Sequence, residues 1–262
     1  MIWLPLTDLL LEAQPERQVA LEPALHHAAL RERALRLAAA LQARNVQRVA
    51  LYLEDAAELA IALLGAWRAG VQVLLPADAQ VQTRQRLATQ VDLWLDDLTE
   101  LDTEPLPGAR LLPEQCRLTL CTSGSSGEPK LIDKSLAQLA NEVEALERLW
   151  GANLGQATIL GSVACQHIYG LLFRLLWPLC AGRAVYRRAL PFPEDLQQVS
   201  LAITRGSASV ASEEDARREE ARPRSLQAVN EQAEPLLNAA ASSAVACAAP
   251  GFAWIASPAL LK

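Results

Sequence analysis

Two short apolar runs with a capped helical segment between them constrain the fold of this chain more than any other feature. Val49-Ala-Leu-Tyr-Leu53 and Val71-Gln-Val-Leu-Leu75 are the length of buried strands, and Pro76 stops the second. Between them Asp55 and Glu58 have the spacing of a capping box, opening a helix that runs to Ala69 and closes at Gly70. Upstream, apolar residues recur at helical spacing from Ala28 to Arg44, with Asn45 as the stop; downstream, a short helix over Thr83 to Gln90 leads to a strand near Asp92 to Leu95. Helices and strands in alternation predict an α/β protein with a mostly parallel sheet flanked by helices on both faces.

The chemistry concentrates further on. Arg117-Leu-Thr-Leu-Cys121 alternates like a strand, and Leu131-Ile132 resumes one. Between them lies Thr122-Ser-Gly-Ser-Ser-Gly-Glu-Pro-Lys130, with four hydroxyls, two glycines and a lysine. Such a segment serves as a polar surface turn or as a phosphate cradle. In the second case the glycines admit close backbone approach, hydroxyls and N–H groups donate to phosphate oxygens, and the lysine brings positive charge. The nucleotide-triphosphatase signature does not fit, because only Ser125 and Ser126 separate Gly124 from Gly127, and Leu131 follows Lys130. A Rossmann glycine fingerprint is absent as well. Ser135 and Gln138 then form a capping box for a helix whose Leu136, Leu139, Val143, Leu146 and Trp150 share one packing face, with Gly151 as its end. A strand over Thr158 to Gly161 precedes Gln166-His167-Ile168-Tyr169-Gly170. By residue type alone, a lone His beside a Tyr is more often a hydrogen-bonded structural residue than a ligand-binding one.

Bulk properties narrow the class. At 262 residues the chain can bury a substantial core, and its net charge of −6 argues against a broad nucleic-acid surface. The five cysteines are scattered without Cys-x-x-Cys spacing and there are three histidines, so no metal site is expected and buried thiols in a reducing cytoplasm are the default. Met1-Ile-Trp-Leu-Pro-Leu6 lacks the basic flank of a signal peptide. The longest apolar stretch, Ile168 to Ala181, is too short to span a bilayer and carries Arg174. These features read as a soluble cytoplasmic protein.

Thr122 through Lys130 resembles the phosphate loop of the adenylate-forming superfamily, the acyl- and aryl-CoA ligases, luciferases and peptide-synthetase adenylation domains. Their motif reads Thr-Ser-Gly-Ser-Thr-Gly-x-Pro-Lys-Gly; here Ser126 stands for the second Thr and Leu131 for the last Gly. Leu37 to Leu51 is similar to the first helix and strand of that fold, and Ala66 to Pro76 to its Ala-Gly-apolar-Pro segment. The superfamily also carries a His-x-x-Gly segment, often His-Ile-Tyr in aryl-CoA ligases, and His167 to Gly170 resembles it. Within the superfamily the likeness is nearest to the ligases of aryl-polyene and related pigment pathways.

The resemblance implies ATP and Mg2+ as cofactors, with Thr122, Ser123, Gly124, Ser125, Ser126, Gly127 and Lys130 holding the phosphates. It implies a small carboxylic acid, acyl or aryl, in a pocket bordered by His167, Tyr169 and Gly170. The acceptor would be CoA or the phosphopantetheine of an acyl carrier protein. No nucleic-acid partner is implied.

The resemblance also stops short. No aromatic-Gly-x-Thr-Glu motif for adenine follows, nor a ribose Asp, a hinge or a small domain with the catalytic lysine; Lys262 simply ends the sequence. Phe252 to Ala256 reads as a strand and Ser257-Pro258 as a helix start that is then cut off, so the fold is expected to be a truncated N-terminal portion. Residues 1–202 form that portion, 252–262 return to its pattern, and 203–251 are foreign to it. The charge-dense run Ser212 to Arg224 and the Ala/Ser-rich stretch Asn238 to Pro250 fit an insertion, a frame disturbance of GC-rich DNA, or a solvated helical arm. Two functions follow: ATP-dependent carboxylate activation, incomplete and inactive alone, or a non-catalytic nucleotide-binding or interaction fragment of such a ligase.

Overall fold

The computed structural model describes residues 3–99, 101–122, 130–205 and 251–255. The chain divides into two units, residues 1–196 with 252–262, and residues 197–251. The ten strands among the described residues belong to the first unit; of the second, residues 197–205 are helical.

Two five-stranded sheets form the first unit, in place of the one sheet that the alternation predicts. Sheet II has the order β5-β3-β4-β6-β7 and takes its strands from one stretch of chain: β3 (Arg48–Leu51), β4 (Gln72–Leu75), β5 (Leu93–Leu95), β6 (Arg117–Thr122) and β7 (Lys130–Ser135). Four of these strands are parallel, and β7 returns antiparallel against β6. Sheet I has the order β10-β8-β9-β1-β2, built from β1 (Gln18–Leu21), β2 (Leu25–His26), β8 (Thr158–Gly161), β9 (Val185–Tyr186) and β10 (Phe252–Ile255). It too is parallel except for one edge pair, β1 with β2.

The helices form where the sequence expects them. Helix α1 (His27–Ala43) stops before Asn45, which takes a left-handed φ of 53°. Helix α2 (Ala56–Ala69) is capped by the Asp55 carboxylate, which accepts from the N–H groups of Ala57 (2.9 Å) and Glu58 (3.1 Å), and it ends at Gly70 with φ 78°. Glu58 does not return the bond that a capping box requires; its carboxylate lies beside Arg33 and Arg187 instead. From Ala56 to Trp67 every residue of α2 except Glu58 is buried, as a helix apolar all round must be. Helix α3 (Val81–Leu87) precedes β5.

Helix α4 (Leu136–Leu154) begins with a complete capping box, Ser135 accepting from the Gln138 N–H and Gln138 from the Ser135 N–H. It runs past Gly151, the expected stop, to Gly155. Arg183 donates to the carbonyls of both Gly151 and Gly155, so the last turn is held by a side chain from outside the helix. Trp150 is half-exposed rather than core, yet its ring packs on Phe173 at 6.0 Å and Trp177 at 6.4 Å. A further helical stretch runs through α5 (Ile168–Gly170), a π-helical turn (Leu171–Leu176), and α6 (Trp177–Ala181), closed by Gly182. None of the described helices is long and apolar enough to cross a membrane.

Candidate functional site at the carboxyl ends of two sheets

Both candidate segments leave parallel strands at their carboxyl ends, where open α/β sheets bind ligands. Strands β6 and β7 pair in unbroken register from Arg117 opposite Ser135 to Thr122 opposite Lys130. The loop therefore departs and returns at directly opposed residues, whose Cα atoms are about 4.5–5.5 Å apart in an antiparallel ladder. The predicted phosphate donors Ser123, Gly124, Ser125, Ser126 and Gly127, with the side chain of Thr122, lie outside the described residues. Lys130 is exposed at the first position of β7. Burial pushes up the thiols of Cys116 (to about 11), Cys121, Cys165 and Cys180, which disfavours their thiolate forms.

Register places the second segment close to Thr122. Ala50 is opposite Leu74 and Leu75 is opposite Leu120, so Thr122 is level with Leu53 just beyond β3. Two strand spacings separate Thr122 and Leu53, roughly 10 Å. The carbonyl of Leu53 accepts a 2.5 Å hydrogen bond from the buried side-chain amide of Gln166. Gln166 is the neighbour of His167, and it is thus the residue that joins the His segment to the edge of sheet II. A second tie runs alongside. Arg187, just after β9, donates to Asp55 at 2.6 Å, and its carbonyl accepts from Ala56 N–H at 2.9 Å.

His167 is exposed, in extended conformation at the start of α5; its N–H donates to Ala164 and its carbonyl accepts from Leu171. Tyr169 is 40% exposed and stacks on Phe173 with ring centroids 4.5 Å apart. Phe173 meets Trp177 edge-on at 6.0 Å, giving one aromatic face that starts at Tyr169. Gly170 is buried where a side chain cannot fit, since a Cβ would lie 2.1 Å from the Ala164 carbonyl oxygen. Gly161, at the end of β8, is confined in the same way, 2.6 Å from Arg174 and from the Ile255 carbonyl. The structure thus gathers His167, Tyr169 and Gly170 in one turn, within a few residues of the bond to Leu53.

Gln166 and Arg174 escape motif reading. Arg174 does announce itself as the lone charge in the apolar run Ile168 to Ala181. Gln166 carries no signal beyond its place next to His167. A separate cavity of about 470 Å³ opens between α1, α2 and the segment after β5. It is lined by none of the predicted residues, and its Arg33 and Arg36 are matched by Glu58 and Glu32, so it offers a phosphate no net charge.

No protein-family model matches this sequence, and no curated protein matches it. Solved structures match it in fold. O-succinylbenzoate CoA synthetase from Bacillus subtilis, in complex with ATP and magnesium ion, aligns with a TM-score of 0.59 at 19% identity, covering 72% of this chain and 58% of its own. An acyl-CoA synthetase from Brucella canis aligns with a TM-score of 0.60 at 16% identity, over 77% of this chain and 46% of its own. VinN aligns with a TM-score of 0.58 at 16% identity, over 72% and 57%. The likeness is one of fold: this α/β architecture is similar to part of each of these synthetase structures. The chain spans about half the length of the solved chains it matches.

Proposed function

We propose that this chain is the phosphate- and acid-binding portion of an AMP-forming acid–thiol ligase. In that reaction the carboxylate attacks the α-phosphate of ATP, forming an acyl-adenylate and releasing pyrophosphate. A thiol, of CoA or of carrier-protein phosphopantetheine, then takes the acyl group and releases AMP. The observation that carries the reading is the register of β6, β7 and β3: a hydroxyl- and glycine-rich loop opens at the carboxyl edge of a parallel sheet, level with the Leu53 carbonyl that anchors the His segment.

The donor set suits a polyphosphate. Thr122, Ser123, Ser125, Ser126 and Lys130 supply hydroxyls and a cation for the β- and γ-phosphates, and Gly124 and Gly127 let the backbone close in. Among the described residues no cluster of three His, Cys, Asp or Glu side chains could cage a metal. Magnesium would enter on the phosphates, with waters and one or two carboxylates completing its shell. His167 and Tyr169 would border the acid, the aromatic face from Tyr169 to Phe173 favouring a flat acyl or aryl group. The sequence carries no counterpart of the adenine, ribose and catalytic-lysine motifs. On this reading the 262 residues by themselves bind nucleotide without completing adenylation.

Equilibrium binding of ATP and acid-dependent ATP–pyrophosphate exchange test both parts. Nucleotide binding without exchange is expected. Exchange by this chain alone would overturn its incompleteness, and a chain that ignores ATP would overturn the ligase reading.

A further inference from the structure

Among the described residues, the hydrogen-bond partners of the buried Arg174 are backbone carbonyls and include no carboxylate. Its side chain is 1% exposed on the π-helical turn, a distortion that recurs at functional sites. Nη1 donates to the Val163 carbonyl at 2.5 Å, and Nη2 donates to the carbonyls of Tyr186 (3.2 Å) and Arg188 (2.8 Å). Nε is buried without a hydrogen bond. Val163 lies in the segment that leads from β8 to His167, and Tyr186 and Arg188 end β9 and follow it. One guanidinium thus bridges the chain exits of two adjacent parallel strands. Among the described residues this buried cation is answered by carbonyl dipoles, a costly way to stabilise a fold, and an apolar residue of the same volume would pack there at less expense.

The surrounding contacts show what Arg174 adds. Gly161 accepts from the Leu190 N–H at 2.9 Å, and Ser162 donates to the Ile255 carbonyl at 2.9 Å. His167 donates to Ala164 at 3.2 Å and Gln166 holds Leu53. Between these ties, at Val163, the bond comes from Arg174 alone among those described. A side chain at Gly161 would strike the Arg174 stem and one at Gly170 the Ala164 carbonyl, so the segment is closely packed at both ends.

We propose that Arg174 is a positioning residue: through the Val163, Tyr186 and Arg188 carbonyls it fixes the Val163–His167 segment so that His167 presents its ring at the carboxyl edge. This rests on the acid-site reading above. It implies that the acid is the ligand that feels Arg174, and that the nucleotide phosphates do not.

The test uses the full 262-residue chain with Arg174→Met and Arg174→Lys. Amide hydrogen exchange and the His167 ring NMR signal, identified among three histidines by its loss in His167→Gln, are read in each. Arg174→Met is expected to speed exchange of the His167 and Leu171 amides at least tenfold over the sheet II amides and to shift the His167 ring signal. Arg174→Lys, which keeps the charge and a single donor nitrogen, should recover part of both. In the same samples acid affinity should fall at least tenfold in Arg174→Met, with ATP affinity within twofold of the parent. Unchanged local exchange and ring signal, or an equal rise throughout the chain, would overturn the positioning role. If Arg174→Met fails to fold, the lysine variant decides alone by the same criteria. A parent chain that binds neither ATP nor acid would sink the ligase reading while the exchange and ring measurements still judge Arg174.

Discussion

Sheet II takes its five strands from residues 48–135, whereas sheet I gathers its strands from residues 18–26, 158–186 and 252–255. The two are held in different ways. Sheet II rests on α2, which is buried almost all round and touches β3 and β4 directly. Sheet I has short strands, β9 only two residues long, and such strands offer few ladder bonds and little apolar area. The five buried basic side chains among the described residues, Arg17, His27, Arg174, Arg183 and Arg187, all lie in or beside its strands and the helices leading into them. Three of these arginines donate to backbone carbonyls at the ends of helices and strands: Arg17 to Leu179 and Cys180, Arg183 to Gly151 and Gly155, and Arg174 to the three carbonyls already described. Contiguous sequence builds a sheet by packing, and dispersed sequence builds one by polar ties.

That contrast can be broken from either side. The largest effect is expected in sheet II: Leu59→Ala removes a fully buried side chain from α2 and should cost about 3 kcal/mol, read as a lower urea midpoint at any pH. On the sheet I side stability should depend on pH through His27. Burial, then the neighbouring Arg17 and Arg31, lower its pKa from 6.5 to about 4, against the weaker pull of the Leu9 backbone; its Nδ1 accepts from the Gln14 N–H. The unfolded chain takes up this proton near pH 6.5 and the native one only near 4. Stability is therefore full above 6.5 and is lost as pH falls to about 4, by at most about 3 kcal/mol. Urea midpoints at pH 7 and 4.5 measure it, and His27→Gln should flatten that slope; an equal slope in the variant would assign the effect elsewhere. The smallest change sharpens the junction between β7 and α4, where Ser135→Ala removes half of the capping box and should cost about 1 kcal/mol in thermal unfolding, with β6 and β7 still paired.

The same contrast explains what could be read from the residues. Sheet II was legible because its signals are local: Asp55 and Gly70 bracket α2, Pro76 ends β4, and Ser135 with Gln138 starts α4. Sheet I was legible only in part: Thr158–Gly161 and Phe252–Ala256 read as strands, but Gln18–Leu21 carries no strand signal strong enough to reveal a partner far along the chain. At the site, His167, Tyr169 and Gly170 stood out by motif, and the structure adds what motifs cannot carry. Gln166 reaches across to Leu53, and Arg174 ties two loops through backbone atoms that have no sequence signature.

The central claim is that the loop opening at Thr122 and closing at Lys130 holds the phosphates of ATP. Equilibrium binding of ATP with magnesium to the 262-residue chain and to Lys130→Met tests it most directly. Saturable binding that weakens about tenfold in Lys130→Met, a loss of about 1.4 kcal/mol, with unchanged thermal stability is the predicted result. Equal affinity in both chains, or no binding by either, would contradict the account.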